Sequence, residues 1–248
     1  MTPTQAALLA GAAVLAGIVN AIAGGGTLLT FPALLAAGIP AVPANATNTV
    51  ALFPGQMASS WAYRSHLADE RRRAATLAVP SLAGGLIGSI LLMKLPASVF
   101  EHAVPWLIFF ACAVLALQGQ LKRLLTGVRH ADHPAVLWLI QLLVGIYGGY
   151  FGAGIGIIML AAMGVFIPSS IQHANALKVL FSLLINGIAA VYFMFAGAVL
   201  PAEAILMAIA SIVGGFIGAA LAQRLPPSGM RGFAILVGLY AAVRIMLR

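Results

Sequence analysis

The chain has 248 residues, 62% of them hydrophobic and only 7% charged, with a mean hydropathy of +1.06, which excludes a soluble domain with a polar surface. Its net charge of +8 is spread over short loops and helix ends, with no basic face long enough to follow a phosphate backbone, so nucleic acid is not an expected partner. The single cysteine, Cys112, falls within an apolar stretch, so neither an internal disulfide nor a cysteine-based metal cluster is available.

Apolar segments of roughly 17 to 25 residues, enough to cross about 30 Å of hydrocarbon, recur from end to end. One all-α, polytopic membrane domain therefore takes up residues 1–248. The first helix is expected over about residues 5–22. No Lys or Arg precedes it and no small-residue cleavage site follows, so it reads as mature structure and not as a removable signal. It runs into N-A-I-A-G-G-G-T at residues 20–27, where three consecutive glycines break the helix. A short element follows at about 27–38, then helices at about 43–63, 74–93 and 100–118. A linker at about 119–134 leads to a second series at about 135–151, 155–167, 170–195, 202–222 and 230–247. The two short elements extend roughly 18 Å and do not cross a bilayer unaided, so they read as half-helices. The total is about eight full spans and two short elements.

The second series repeats the first. At an offset of 175 − 45 = 130 residues, A-N-A at residues 44–46 meets A-N-A at 174–176, and G-G-L-I-G at 84–88 meets G-G-F-I-G at 214–218. K-L-P-A-S from Lys94 meets R-L-P-P-S from Arg224, and Gly24 and Gly26 fall on Gly154 and Gly156 of G-G-Y-F-G-A-G-I-G. The loop after each break differs, since Ile39-Pro40 pairs with Ile167-Pro168 at an offset of 128. One register held over so long a span marks two tandem repeats, about 5–118 and 135–248. The segment R-S-H-L-A-D-E-R-R-R and the region from Lys122 to His133 are basic and hence cytoplasmic. The counterpart of the first, around residues 196–203, has no Lys or Arg. That favours repeats of inverted topology, while Lys94 and Arg224, of one sign at equivalent positions, leave a parallel arrangement open.

A break in lipid exposes unpaired N–H and C=O groups, tolerated only where protein or a polar cavity covers them. Paired broken helices in inverted-repeat transporters meet near the midplane and present their N-terminal N–H groups to an anion. Gly25, Gly26 and Thr27, with Gly154 and Gly156, are the expected donors. The plain alternative is that glycines only let helices pack, the preferred reading for Gly84, Gly88, Gly214 and Gly218. Lys178 is the one charge well inside a span, where it costs about 2.5–3.5 kcal/mol unless it faces a cavity or partner; snorkelling to the interface is its alternative. Asn175, Lys178 and Ser182 share one helical face that Asn186 continues, and Asn45, Thr47 and Asn48 lie in the equivalent helix. These twelve residues form the candidate substrate site. Asn20, Gln56, Tyr147 and Tyr150 are weaker candidates, Tyr63 an interface anchor, and His173 a proton carrier or a solvated cap.

All five acids, Asp69, Glu70, Glu101, Asp132 and Glu203, fall in loops or at helix ends. No carboxylate can carry a proton across, so coupling would use His173, Lys178, or a cation held by Asn, Thr and backbone carbonyls. Passive anion export is equally open, since about 2.3 kcal/mol per charge at 100 mV, inside negative, drives anions outward. The expected partners are a small anion, the lipid bilayer and a coupling ion, sodium or a proton. No cofactor or metal is expected. An enzyme is not expected either, because H-E-x-x-H, G-x-S-x-G and an intramembrane acid pair are all lacking.

The run A-G-G-G-T-L-L-T-F-P-A-L-L-A-A-G-I-P, then A-N-A-T-N-T, then G-A-G-I-G followed by A-N-A-L-K-V-L-F-S-L-L-I-N, resembles the TauE/SafE family of sulfite exporters over essentially the whole chain. The resemblance implies a multi-pass transporter of the bacterial inner (plasma) membrane. It implies sulfite, sulfoacetate or a related organosulfonate as substrate, some members handling other organic anions such as carboxylates. A-N-A-T-N-T departs from the Gly-Thr-rich version of many members, which bears on substrate more than on fold. A channel remains the alternative to a carrier.

Overall fold

The computed structural model describes residues 1–22, 25–125, 134–166, 171–221 and 227–247. Among them are eleven helices and no strand: α1 (Pro3–Ile22), α2 (Thr27–Ala36), α3 (Ala41–Ala62), α4 (Arg64–Ala68), α5 (Arg71–Lys94), α6 (Ala97–Leu125), α7 (Pro134–Tyr150), α8 (Ile155–Phe166), α9 (Ile171–Phe195), α10 (Pro201–Leu221) and α11 (Pro227–Met246). The ten expected elements are all there. Two details differ: α4 is a helical turn where the polar sequence reads as loop, and α6 continues to Leu125, into the expected linker. The α6 extension is built from Leu, Gln, Lys and Arg, strong helix formers that outweigh the loop-like charge. Gly24, Ile167, Pro168, Arg224 and the 126–133 part of the linker lie outside the described residues.

Six described helices, α1, α5, α6, α9, α10 and α11, contain stretches long and apolar enough to cross a membrane. The chain is therefore a multi-pass membrane protein. At 22 residues α3 has the length, but Asn45, Thr47, Asn48 and Gln56 make it too polar to count on hydropathy alone. At 17 residues α7 is apolar but short.

Each short helix folds back along the long helix before it. Gly26 lies beside Asn20 and Ala16, and eleven residues later the Ala37 carbonyl accepts a bond of 2.8 Å from Gln5 Nε2. In the second half Gly148 touches Ile155, and Gln141 Nε2 reaches Met159 Sδ at 3.5 Å.

The halves interlock by exchange. α1 packs on α10 of the other half and α7 packs on α5, while α2 meets α11 and α8 meets α6. Small residues bring these backbones together: a Cβ at Gly214 would lie 2.0 Å from the Val14 carbonyl oxygen, and one at Gly88 would lie 2.1 Å from that of Ile146. Val14 faces Gly214 and Ile18 faces Gly218, so α1 and α10 run the same way; Gly84 faces Gly145 and Gly88 faces Gly149, so α5 and α7 do too. By contrast α3 and α9, equivalent helices of the two repeats, run in opposite directions. Thr47 bonds Leu200, Gln56 bonds Asn186, and the His66 ring meets that of His173 at 5.7 Å.

Candidate functional site

The two glycine breaks converge on α6. Gly25 has φ 95° and Gly154 φ 78°, a left-handed backbone that glycine adopts without steric cost. A Cβ at Gly25 would lie 3.0 Å from Leu115 Cδ2, and one at Gly154 would lie 3.8 Å from the backbone of Ala111. Ala111 and Leu115 are buried and sit one turn apart, about 6 Å along α6. Halves separated by over a hundred residues thus bring their interruptions side by side. Phe31 of α2 packs edge-on against Phe151 at 5.4 Å, and Phe100 of α6 packs edge-on against Tyr150 at 5.3 Å, so aromatic rings join the two halves next to the second break.

The breaks are pinned in opposite senses. In the first, Asn20 Oδ1 accepts the Gly26 N–H at 2.7 Å, so a side chain fills the position that an anion would take at that donor. The Gly26 carbonyl in turn accepts Thr30 Oγ1 at 3.2 Å, and the same hydroxyl contacts Asn48 Oδ1. In the second, Tyr147 donates its hydroxyl to the Ala153 carbonyl at 2.6 Å. There an acceptor is occupied, and the donors at the start of α8 are not the groups used. Gly154 O accepts the Ile157 N–H at 3.0 Å, starting the helix and leaving the Ile155 and Gly156 N–H groups in the first turn, where no intrahelical acceptor exists.

Lys178 lies at this second break. Its aliphatic chain covers Gly156, with Cδ 3.2 Å and Cγ 3.5 Å from the position of a Cβ there. Since 178 − 48 = 130 and 156 − 26 = 130, Lys178 stands to Gly156 as Asn48 stands to Gly26. At equivalent positions the halves therefore carry a neutral amide, Asn48, and a cation, Lys178. A second pair of residues at the offset of 130 meets directly: Asn186 Nδ2 donates to Gln56 Oε1 at 3.2 Å. Asn186 Nδ2 also donates to the Ser182 carbonyl at 2.9 Å.

The other expected residues divide. Thr27 opens α2. Asn45 is 1% exposed and donates Nδ2 to the Tyr150 carbonyl at 3.0 Å, at the end of α7. Asn175 and Ser182 are partly buried along the Lys178 face. Thr47 does not join them: its buried hydroxyl accepts the Leu200 N–H at 3.0 Å and latches the α9–α10 turn. His173 sits at the entry of α9 beside Asp69 at 3.2 Å and His66, remote from the breaks. Thr30 was not picked out from sequence; its position four residues after Gly26 is the signal. A cavity of about 320 Å³ lies at the α2–α3 turn, lined by Gln5, Leu9, Pro40, Leu200 and Glu203. No candidate residue lines it, and the Glu203 carboxylate opposes an anion there.

The family profile described as Sulfite exporter TauE/SafE matches residues 9–245. The chain belongs to the TauE/SafE family. It is similar to a probable membrane transporter protein, ORF9, of a Sinorhizobium species, with 28% identity over 95% of this chain and 90% of that relative. It is also similar to a probable membrane transporter protein of Haemophilus influenzae, 27% identical over 82% of this chain and 80% of the relative. The probable membrane transporter protein YfcA of Escherichia coli K12 is 29% identical over 91% of this chain and 82% of its own length. No solved structure matches the chain. A TauE/SafE membrane transporter accounts for the multi-pass helices, and the family match supports a transporter over an enzyme.

Proposed function

We propose that this TauE/SafE transporter exports a small sulfur oxyanion, sulfite or an organosulfonate, bound at the start of α8 beside Lys178. The observation that carries the reading is the Lys178 aliphatic chain lying along Gly156, which sets a cationic side chain against the first turn of α8 and its N–H groups. Both favour negative charge, and the helix dipole adds to them. A sulfonate offers three oxygens to these donors. The family's description as sulfite exporters supports the sulfur class. The Asn20 contact to Gly26 occupies a donor at the first break, which supports the second break as the anion site over an even sharing between the two.

In this reading α3 and α7 are the seventh and eighth spans, and the two repeats are inverted about the bilayer plane. The opposed directions of α3 and α9 support this. Arg64 and the Arg71–Arg73 run mark the cytoplasmic end in a plasma membrane, by the excess of basic residues over the opposite end. The half-sites then alternate between the two faces.

The test is a thermal-shift screen of purified protein against sulfite, thiosulfate, sulfoacetate, taurine and lactate. A ligand at 100 times its Kd stabilises the folded protein by about 2.7 kcal/mol. A sulfur anion should raise the apparent Tm of the wild type and not of Lys178→Ala, with the variant still monodisperse. A shift by lactate alone, or an equal shift in the variant, would remove the sulfur class or Lys178 respectively.

A further inference from the structure

The end of α7 is built from acceptors, in contrast to the donors that follow it. Asn45 Nδ2 is committed to the Tyr150 carbonyl at 3.0 Å. That orients its Oδ1, which is the buried side-chain polar atom without a hydrogen-bond partner among the described residues, on a side chain only 1% exposed. A buried amide oxygen left unpaired is destabilising, so this one calls for a partner. Two residues further, Gly152 has φ 82°. The point where its Cβ would lie is 3.0 Å from the Gly148 carbonyl oxygen and 3.5 Å from Asn186 Oδ1. Asn186 spends its Nδ2 on Gln56 and Ser182, so its oxygen is the end turned to Gly152.

Oxygen-bearing groups of three helices thus meet the turn 148–152: Gly148 O and Tyr150 O are its own carbonyls, Asn45 of α3 is bonded to Tyr150 O through Nδ2, and Asn186 Oδ1 of α9 faces Gly152. The last turn of a helix carries partial negative charge. Calcium and magnesium sites use carboxylates, and none is present here. A neutral oxygen set at an unwound helix end suits a small alkali cation.

We propose that the α7 end is a sodium site, with Asn45 and Asn186 supplying side-chain oxygens and the last carbonyls of α7 the rest. It flanks the glycine loop whose other end starts α8. Asn186 lies eight residues, about 12 Å, beyond Lys178 on the same helix. A cation on the 148–152 turn holds that loop in the conformation that presents the α8 N–H groups, so sodium and anion tighten each other's binding, reciprocally. The coupling part of this inference rests on the proposed anion site; the cation site itself does not.

The experiment is equilibrium binding of radioactive sodium to the purified protein, with thermal shifts in sodium, lithium, potassium and choline chloride at equal ionic strength. The expected result is saturable binding displaced by unlabelled sodium and not by choline, with affinity reduced on the order of tenfold or more in Asn45→Ala and Asn186→Ala. Asn45→Asp, which keeps an acceptor oxygen at the site, should bind sodium at least as tightly as the wild type. Lys178→Ala should keep sodium binding while losing the anion response. Absence of saturable sodium binding in the wild type overturns the site and assigns Asn45 Oδ1 to a water molecule, leaving the anion reading standing if its Lys178-dependent response persists. Sodium binding without any anion response removes the anion reading alone.

Discussion

At the level of single residues, the two breaks show how one backbone device is given two characters. Asn20 occupies a donor at the first break, and Tyr147 occupies an acceptor at the second. Replacing Asn20 by alanine leaves the buried Gly26 N–H unpaired, at a cost of about 1–3 kcal/mol, and opens the first break as an anion site. Asn20→Ala should therefore melt lower without ligand and show a larger anion-induced shift than the wild type. A lower melting point with no gain in anion response would mean that Asn20 only caps. Lys178 was legible in sequence because a lone charge in an apolar span needs a reason. Thr47 is grouped in sequence with Asn45 and Asn48 on residue type alone, but positions i and i+3 share a helical face and i+2 does not, so the structure turns it to Leu200 instead. The Asn20 and Thr30 contacts were not legible, because a side chain reaching the backbone of a returning helix depends on the path of the chain between them.

At the level of elements, the exchange of partners between halves rests on glycine. With a Cβ at Gly214 only 2.0 Å from the Val14 carbonyl, any larger side chain must drive α1 from α10. Gly214→Val should lower the apparent Tm, at an overpacking cost of about 1–3 kcal/mol or more, whereas Gly215→Ala, whose Cβ position meets nothing within 4 Å, should be close to neutral. Equal effects would place the α1–α10 contact elsewhere. The register of 130 residues made the repeat and the ten main elements legible, since apolar length and glycine interruptions are local signals. Which helix pairs with which was not, because both halves offer the same small-residue pattern and sequence does not say whether a helix packs on its own repeat or on the other. The turn α4 and the end of α6 escaped for a different reason, namely that charge at a helix end looks like charge in a loop.

For the whole molecule, the relation between halves decides how transport would work. In the proposed reading, two opposed repeats with equivalent half-sites, one charged and one neutral, give an alternating structure a built-in preference for one site. Inverted repeats place the α4 segment and the α9–α10 turn on opposite membrane faces. Cysteines introduced as Ser65→Cys and Ala198→Cys should be labelled by an impermeant thiol reagent from opposite sides of oriented vesicles, native Cys112 being 2% exposed and silent. Labelling of both from one side would require parallel repeats. Whether Lys178 holds the transported anion is decided by efflux of radiolabelled sulfite from proteoliposomes at a clamped membrane potential. Saturable efflux should be present in the wild type, lost in Lys178→Gln and at least partly kept in Lys178→Arg; wild-type efflux rates in Lys178→Gln would contradict that role.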